Sequence, residues 1–220
     1  MTKIVALVPM KGHSERVPNK NMRLFGKKPL YHSIVSTLLK SPFIDHVIIN
    51  TDSEIIKTDA LKNFSEVIIH DRPKEIQGDF VAMNEIINYD LQHSTEAYFI
   101  QTHSTNPLLT VETINKAIEK FFANLPIYDS LFSVTKLQTR LYWQNGEAIN
   151  HNPKELLRTQ DLPPVFEENS NFYIFSKKSF ADSGNKRIGI KPLMFEVNKN
   201  EAIDIDTQED FILAEKLLNI

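Results

Sequence analysis

No cysteine occurs among the 220 residues. That excludes disulfides, thiolate zinc sites, iron–sulfur clusters and a cysteine nucleophile, and it is compatible with a reducing compartment. Glycine is scarce, at 6 residues, so an architecture resting on many glycine-rich loops is hard to build. Neither Gly-x-Gly-x-x-Gly nor Gly-x-x-x-x-Gly-Lys-Ser/Thr follows the first apolar run. A nicotinamide or flavin enzyme and a Walker-type NTPase therefore lose their main support. That run, residues 4–8, is too short for a signal-peptide core or a membrane span, and no other run approaches about 18 residues. The expected location is the cytoplasm, with no membrane partner. Basic excess is lacking too: 25 Lys and Arg against 28 Asp and Glu give a formal charge of -3, which argues against a broad grip on nucleic acid.

What is present is an ordinary soluble composition, 41% hydrophobic and 24% charged, in a length that suits one domain spanning 1–220. Periodicity alternates along the first half. Strands are expected at 3–9, 46–50, 67–69 and 97–101, and helices at 30–39, 53–61, 81–92 and 110–122. Within 30–39, Leu30, Ile34, Val35 and Leu38 share a face. Ser53 is the expected N-cap of the second helix. This order predicts an α/β fold with a mainly parallel sheet and helices on both faces. Later strands, at 130–134, 142–144, 172–175 and 193–197, lie between longer irregular pieces and read as mixed or antiparallel. Residues 137–168 form an excursion carrying Arg140, Tyr142, Trp143 and Arg158, and a helix at 208–218 closes the chain.

The densest chemistry follows strand one, at the edge where such sheets bind ligands. Residues 9–28 hold Lys11, Arg16, Lys20, Arg23, Lys27 and Lys28 against Glu15 alone, a local +5 that leaves -8 for the rest of the chain. A cationic loop there can neutralise polyphosphate oxygens and stabilise a departing phosphate. Charge alone leaves a solvated basic loop as the other reading. Near the C-terminus, Asp204 and Asp206 stand two apart. In an extended segment both carboxylates leave one face and offer hard oxygens to Mg²⁺. A local reading competes: Thr207 caps the last helix with Asp210 at N3, and Asp206 favours the helix dipole. It leaves Asp204 unexplained.

Several segments, in order, resemble the acylneuraminate cytidylyltransferase (CMP-sialic acid synthetase-like) family. The loop from Leu7-Val8-Pro9-Met10-Lys11 to Pro18-Asn19-Lys20-Asn21 matches its signature at Lys11, Ser14, Pro18, Lys20 and Asn21. Lys11 stands where many members carry arginine. Asn50-Thr51-Asp52, Asp71-Arg72-Pro73 with Gly78-Asp79, Gln101 through Asn106-Pro107-Leu108, Asn169 through Ile174, and Ile203 through Asp210 follow.

The resemblance implies a three-layer, Rossmann-like nucleotidyltransferase domain. It also implies that the excursion at 137–168 extends toward a second copy and helps build the acceptor site of a homodimer. In the implied reaction an acidic-sugar hydroxyl attacks the α-phosphorus of CTP, and pyrophosphate leaves. Lys11, Arg16 and Lys20 are then expected on the triphosphate. Pro9, Lys11, Ser14, Asn21, Arg72 and Asp79 are expected around the nucleotide, and Gln101, Asn169 and Tyr173 at the acceptor. Asp204 and Asp206 are expected on Mg²⁺. The general base is an aspartate of the closing motif or a metal-bound hydroxide. His103 and Asp52 read as a structural loop residue and a helix-start residue.

Glu167-Glu168, beside the acceptor segment, would repel a sugar carboxylate, which favours an acceptor other than sialic acid, such as an amine-bearing nonulosonate, a polyol or a phosphonate. KDO ranks lower, because Gln101-Thr102-His103-Ser104 lacks the aspartate of the KDO enzymes. A non-catalytic nucleotide-binding protein and a nicotinamide oxidoreductase are the readings from other classes.

Overall fold

The computed structural model describes residues 2–218. In chain order the elements are β1 (Ile4–Pro9), β2 (Leu24–Phe25), β3 (Lys28–Pro29), α1 (Tyr31–Leu39), β4 (Ile44–Thr51), α2 (Glu54–Asn63), β5 (Val67–Asp71), α3 (Met83–Gln92), β6 (Tyr98–Thr102), α4 (Val111–Ala123), β7 (Ser130–Leu137), β8 (Val165–Ser176), α5 (Lys177–Asp182), β9 (Pro192–Glu196) and α6 (Gln208–Leu218). Seven strands form one sheet in the order β5-β4-β1-β6-β8-β7-β9. Parallel pairing joins β5 to β4, β4 to β1, β1 to β6 and β7 to β9, while β8 runs antiparallel to both β6 and β7. The expected α/β fold with a mainly parallel sheet is therefore present.

Alternation along the strands builds two cores. Ile4, Ala6 and Val8 of β1 pack with α1, α2 and α4, whereas Val5 and Leu7 pack on the other face with α3 and α5. Every residue of β1 is buried, as expected for a strand covered by helices on both faces. Ser53 caps α2 as expected, its hydroxyl accepting from Ile56 N at 3.4 Å, and Thr110 caps α4. A third, smaller core joins Phe25 and Leu30 to Ile205, Phe211 and Ala214. It fastens the segment before α6 to the loop after β1.

The second half departs from expectation in three places. Residues 142–144 form no strand; Tyr142 makes one isolated bridge to Ala148 around a turn at Gly146, because no neighbouring strand is there to extend a ladder. The excursion is shorter than 137–168, since β7 runs to Leu137 and β8 begins at Val165, paired from Leu137–Val165 to Val134–Glu168. Between Phe132 and Val134 the register shifts, and Ser170 takes a positive φ of 57°. Such a bulge re-aims side chains near a site; here it turns Asn169 and Ser170 toward a cavity.

Candidate active site

The strand order reverses at β1, with β4 on one side and β6 on the other, so a crevice opens beyond their carboxyl ends. The loop after Pro9 crosses this crevice. Met10 N donates to Asn50 O at 3.0 Å, fixing the exit from β1. Gly12 N donates to Asp52 Oδ1 at 2.7 Å. A Cβ at Gly12 would lie 2.8 Å from Ser53 Cβ, so only glycine lets the loop lie this close to the β4–α2 turn. Buried Asn21 donates through Nδ2 to Lys11 O at 3.0 Å and accepts from Ser104 Oγ at 2.8 Å. Asp52, read from sequence as a helix-start residue, thus holds the loop while Ser53 does the capping.

A cavity of about 530 Å³ occupies the crevice. Its wall gathers Pro9, Lys11, Ser14, Arg16, Lys20, Asn21, Arg72, Asp79, Asp204 and Asp206, all singled out in the sequence, with His103, Ser104 and Thr105 from the end of β6. Each of the three loop cations on this wall already has a partner. Lys11 pairs with Asp79, holding that carboxyl below its ordinary range. Arg16 donates to Asp206 Oδ1 at 2.8 Å. Lys20 donates to Ile205 O and stands 3.5 Å from Asp206 Oδ1. Arg72 is buried. It donates to Asn50 Oδ1 (2.7 Å), Asn50 O (2.9 Å) and Met10 O (3.3 Å), tying the ends of β1 and β4 together under the cavity.

Asp204 and Asp206 line this cavity and a second one of about 500 Å³, whose wall includes Thr135, Glu167, Glu168, Asn169, Ser170 and Lys199. The local reading of the closing motif also holds: Thr207 Oγ1 accepts from Asp210 N at 3.2 Å, and Asp210 Oδ2 accepts from Thr207 N at 2.8 Å. Asp204 falls outside that cap. Burial, reinforced by Asp206, pushes its carboxyl above the ordinary range against the opposing pull of Thr105 and Lys20. Its Oδ1 is buried with no hydrogen-bond partner among the described residues. A buried, unsatisfied carboxylate oxygen is costly unless a ligand completes it.

Three residues behave differently from the rest. Asn169, expected at the acceptor, lines the second cavity and donates to Thr135 Oγ1 at 3.0 Å. Gln101 and Tyr173, also expected there, are fully buried and line neither cavity. Both are hydrogen-bonded to Arg187, in the loop between α5 and β9. Burial pushes the Tyr173 phenol up to about 12, so it stays protonated at neutral pH. His103, read as a structural loop residue, lines the first cavity, and burial, then Arg187, pull its pKa down to about 4. No sequence signal marked Arg187, because its loop carries no motif.

A family model described as Cytidylyltransferase matches residues 5–219. Post-translational flagellin modification protein B of Campylobacter coli is 26% identical over 229 residues, covering 99% of this chain and 96% of that one. Pseudaminic acid cytidylyltransferase of Campylobacter jejuni is 26% identical over 233 residues, covering 99% and 97%. Among solved structures, that of CMP:2-keto-3-deoxy-manno-octonic acid synthetase complexed with CTP has a TM-score of 0.74 at 13% identity, with 99% of each chain covered. That last likeness is one of fold.

Proposed function

The chain belongs to the cytidylyltransferase family, and from that membership we propose that it couples CTP to the hydroxyl of an acidic, nonulosonic-type sugar, releasing pyrophosphate and a CMP-sugar. It is a CTP-dependent nucleotidyltransferase. The observation that carries the reading is the meeting, in one cavity at the end of β1, of Lys11, Arg16 and Lys20 with Asp204 and Asp206. The name of one relative matched over 97% of its length, a pseudaminic acid cytidylyltransferase, supports the acidic sugar.

Lys11, Arg16 and Lys20 would take the triphosphate, exchanging Asp79, Asp206 and a carbonyl for phosphate oxygens. Pro9, Ser14, Asn21, Arg72 and Asp79 would shape the nucleotide end. The acceptor hydroxyl then forms a bond to the α-phosphorus, the α–β bridging bond breaks, and pyrophosphate leaves with the electron pair. The hydroxyl proton passes to a carboxylate of the closing motif. Holding the two substrates in line, and cations on the leaving charge, supply most of the acceleration.

Asp204 and Asp206 fit Mg²⁺: two hard carboxylates share one cavity, and one of them carries a buried oxygen without a partner. Bound there, Mg²⁺ would supply charge neutralisation to the phosphate oxygens. Asn169, Gln101 and Tyr173 are proposed to serve the acceptor, the latter two from behind Arg187. Glu167 and Glu168 on the second cavity favour a sugar with an amino substituent at that end.

Leu156 is 94% exposed and Trp143 61% exposed on the excursion. Such apolar tips favour burial against a second copy, hence a homodimer; a monomer mass in light scattering would remove that part. As a consumer of CTP the enzyme is proposed to act in the cytoplasm. The reading as a whole is tested by incubating the protein with CTP, Mg²⁺ and pseudaminic acid, N-acetylneuraminic acid or KDO. A CMP-sugar mass with the first or second supports it, and the absence of any CMP-sugar opposes it.

A further inference from the structure

Arg187 is absent from every motif above, yet its surroundings are built with care. Its loop is clamped by Asp129, whose carboxylate accepts from Ile190 N at 2.8 Å and Lys191 N at 3.0 Å, and by Ser130 Oγ, which accepts from Gly189 N at 2.8 Å. A Cβ at Gly189 would collide with the Asp129 carboxylate, so the loop is pressed against the start of β7. Arg187 N adds a bond to Asn84 Oδ1 at 3.3 Å on α3.

The guanidinium lies over the Tyr173 ring, 3.7 Å from its centroid. One terminal nitrogen donates to Gln101 Oε1 at 2.8 Å and stands 3.5 Å from His103 Nε2; the other donates to Tyr173 Oη at 3.0 Å. All three partners are neutral at pH 7, since His103 titrates near 4 and Tyr173 near 12. Among the described residues no carboxylate touches Arg187; Glu168 is hydrogen-bonded to the Tyr173 hydroxyl and acts on the guanidinium through space. A guanidinium has five N–H donors, and the two short bonds use two of them. A half-buried cation with unused donors and no carboxylate in contact is costly in the unliganded fold, and an arriving anion lowers that cost.

The position identifies the anion. His103 lines the cavity that holds the loop cations, while Ser170 and Glu168, both bonded to Tyr173, line the second cavity. Arg187 lines neither cavity itself; it touches His103 of the first wall and, through Tyr173, reaches Glu168 and Ser170 of the second, beside the acceptor residues rather than the phosphate loop. We propose that Arg187 grips the carboxylate of the acidic-sugar acceptor and is the residue by which this chain tells an acid from its uncharged analogue. This rests on the function proposed above. Guanidinium and carboxylate match as a two-pronged pair, which lysine cannot reproduce.

The test compares, for whichever acid of the panel the wild type turns over, that acid with its C1 carboxamide, in wild type, Arg187→Gln and Arg187→Lys. Losing a charge-assisted pair should raise the acceptor KM of Arg187→Gln by roughly 10- to 100-fold and shrink the acid-over-amide preference by a similar factor, with the CTP KM unchanged. Arg187→Lys should fall between. A purely structural strut would instead lower Tm and depress both acceptors in proportion; that result, or an acceptor KM within about twofold of wild type, overturns the proposal while leaving the proposed function standing. Should Arg187→Gln fail to fold, the acid-over-amide ratio of Arg187→Lys decides alone: an unchanged ratio overturns the proposal. If the wild type releases no pyrophosphate with any acid of the panel, the functional reading itself fails and takes the Arg187 proposal with it.

Discussion

Arg16 and Asp206, 190 residues apart in the chain, meet at 2.8 Å across the mouth of the first cavity. The ion pair joins the cationic loop to the closing aspartates, so the two halves of the proposed chemistry are held together before substrate arrives. Arg16 is 66% exposed, whereas Lys20, on the same carboxylate, is 13% exposed. The two cations should therefore fail differently. Arg16→Ala should raise the apparent KM for CTP a few-fold and flatten its dependence on ionic strength, because exposed charges are screened by salt. Lys20→Ala should cut turnover by roughly 100-fold, the scale of losing one preorganised charge in a shielded site. Steady-state kinetics at low and high salt separate the two; equal, salt-insensitive effects would contradict the account.

Asp204 should show a trade of stability against activity. Its carboxyl is pushed above the ordinary 3.8 by burial and then by Asp206. A raised carboxyl pKa means that the folded state favours the protonated form. Its stabilising contribution is complete below the unfolded value and is lost as pH rises through the folded value. At neutral pH the ionised group is a cost to the metal-free fold. Asp204→Asn should therefore leave Tm equal or higher in metal-free buffer at pH 7 while abolishing turnover. Near-normal turnover at saturating Mg²⁺ would sink the metal assignment, and a large drop in Tm would contradict the electrostatics.

Gly12 offers a steric test. Adding a Cβ there places it 2.8 Å from Ser53 Cβ, so Gly12→Ala should displace the loop and weaken CTP binding about tenfold, an energy well within the usual cost of overpacking. Truncating Ser53 to alanine keeps the offending atom. Ser53→Gly removes it and costs the α2 cap only a few tenths of a kcal/mol. The Gly12→Ala/Ser53→Gly double variant should thus recover much of the affinity by calorimetry. No recovery would place the role of Gly12 elsewhere.

His103 should mark the acid limb of stability. Its pKa falls from 6.5 to about 4, through burial first and then the Arg187 charge, with Asp206 opposing. A depressed value means that the fold favours neutral imidazole. The contribution is fully present above 6.5 and drains away as pH falls toward 4. His103→Gln should flatten the stability-against-pH curve in that window, measured by denaturant midpoints. An unchanged slope would mean that the imidazole is not held neutral.

Much of this molecule was legible in its residues. The run at 4–8 has the length of a buried strand and is one, and Lys11, Arg16 and Lys20 of the +5 loop that follows it stand on the cavity wall with the Asp204–Asp206 pair. Those signals are local: period, charge and spacing. What escaped depended on distant pairing. The first part of β8, Phe166-Glu167-Glu168, has no strand-like composition, and it is extended because Val134–Leu137 of β7 pairs with it. Gln101 and Tyr173 sit opposite each other on β6 and β8, so both point into the face that Arg187 covers, a neighbour no motif announces. Asp52 was visible as a residue but not as the acceptor of Gly12 N, since 40 residues separate them.

The central claim is that CTP, an acidic sugar and a carboxylate-held metal are used together at the two cavities that share Asp204 and Asp206. Pyrophosphate release, measured across ATP, CTP, GTP and UTP with and without the acidic-sugar panel in Mg²⁺, tests it most directly. The account predicts release with CTP alone, strictly dependent on an acidic sugar, abolished by chelator and absent in Asp204→Asn. Release that ignores the acceptor, favours another nucleotide or survives both chelator and Asp204→Asn would contradict it.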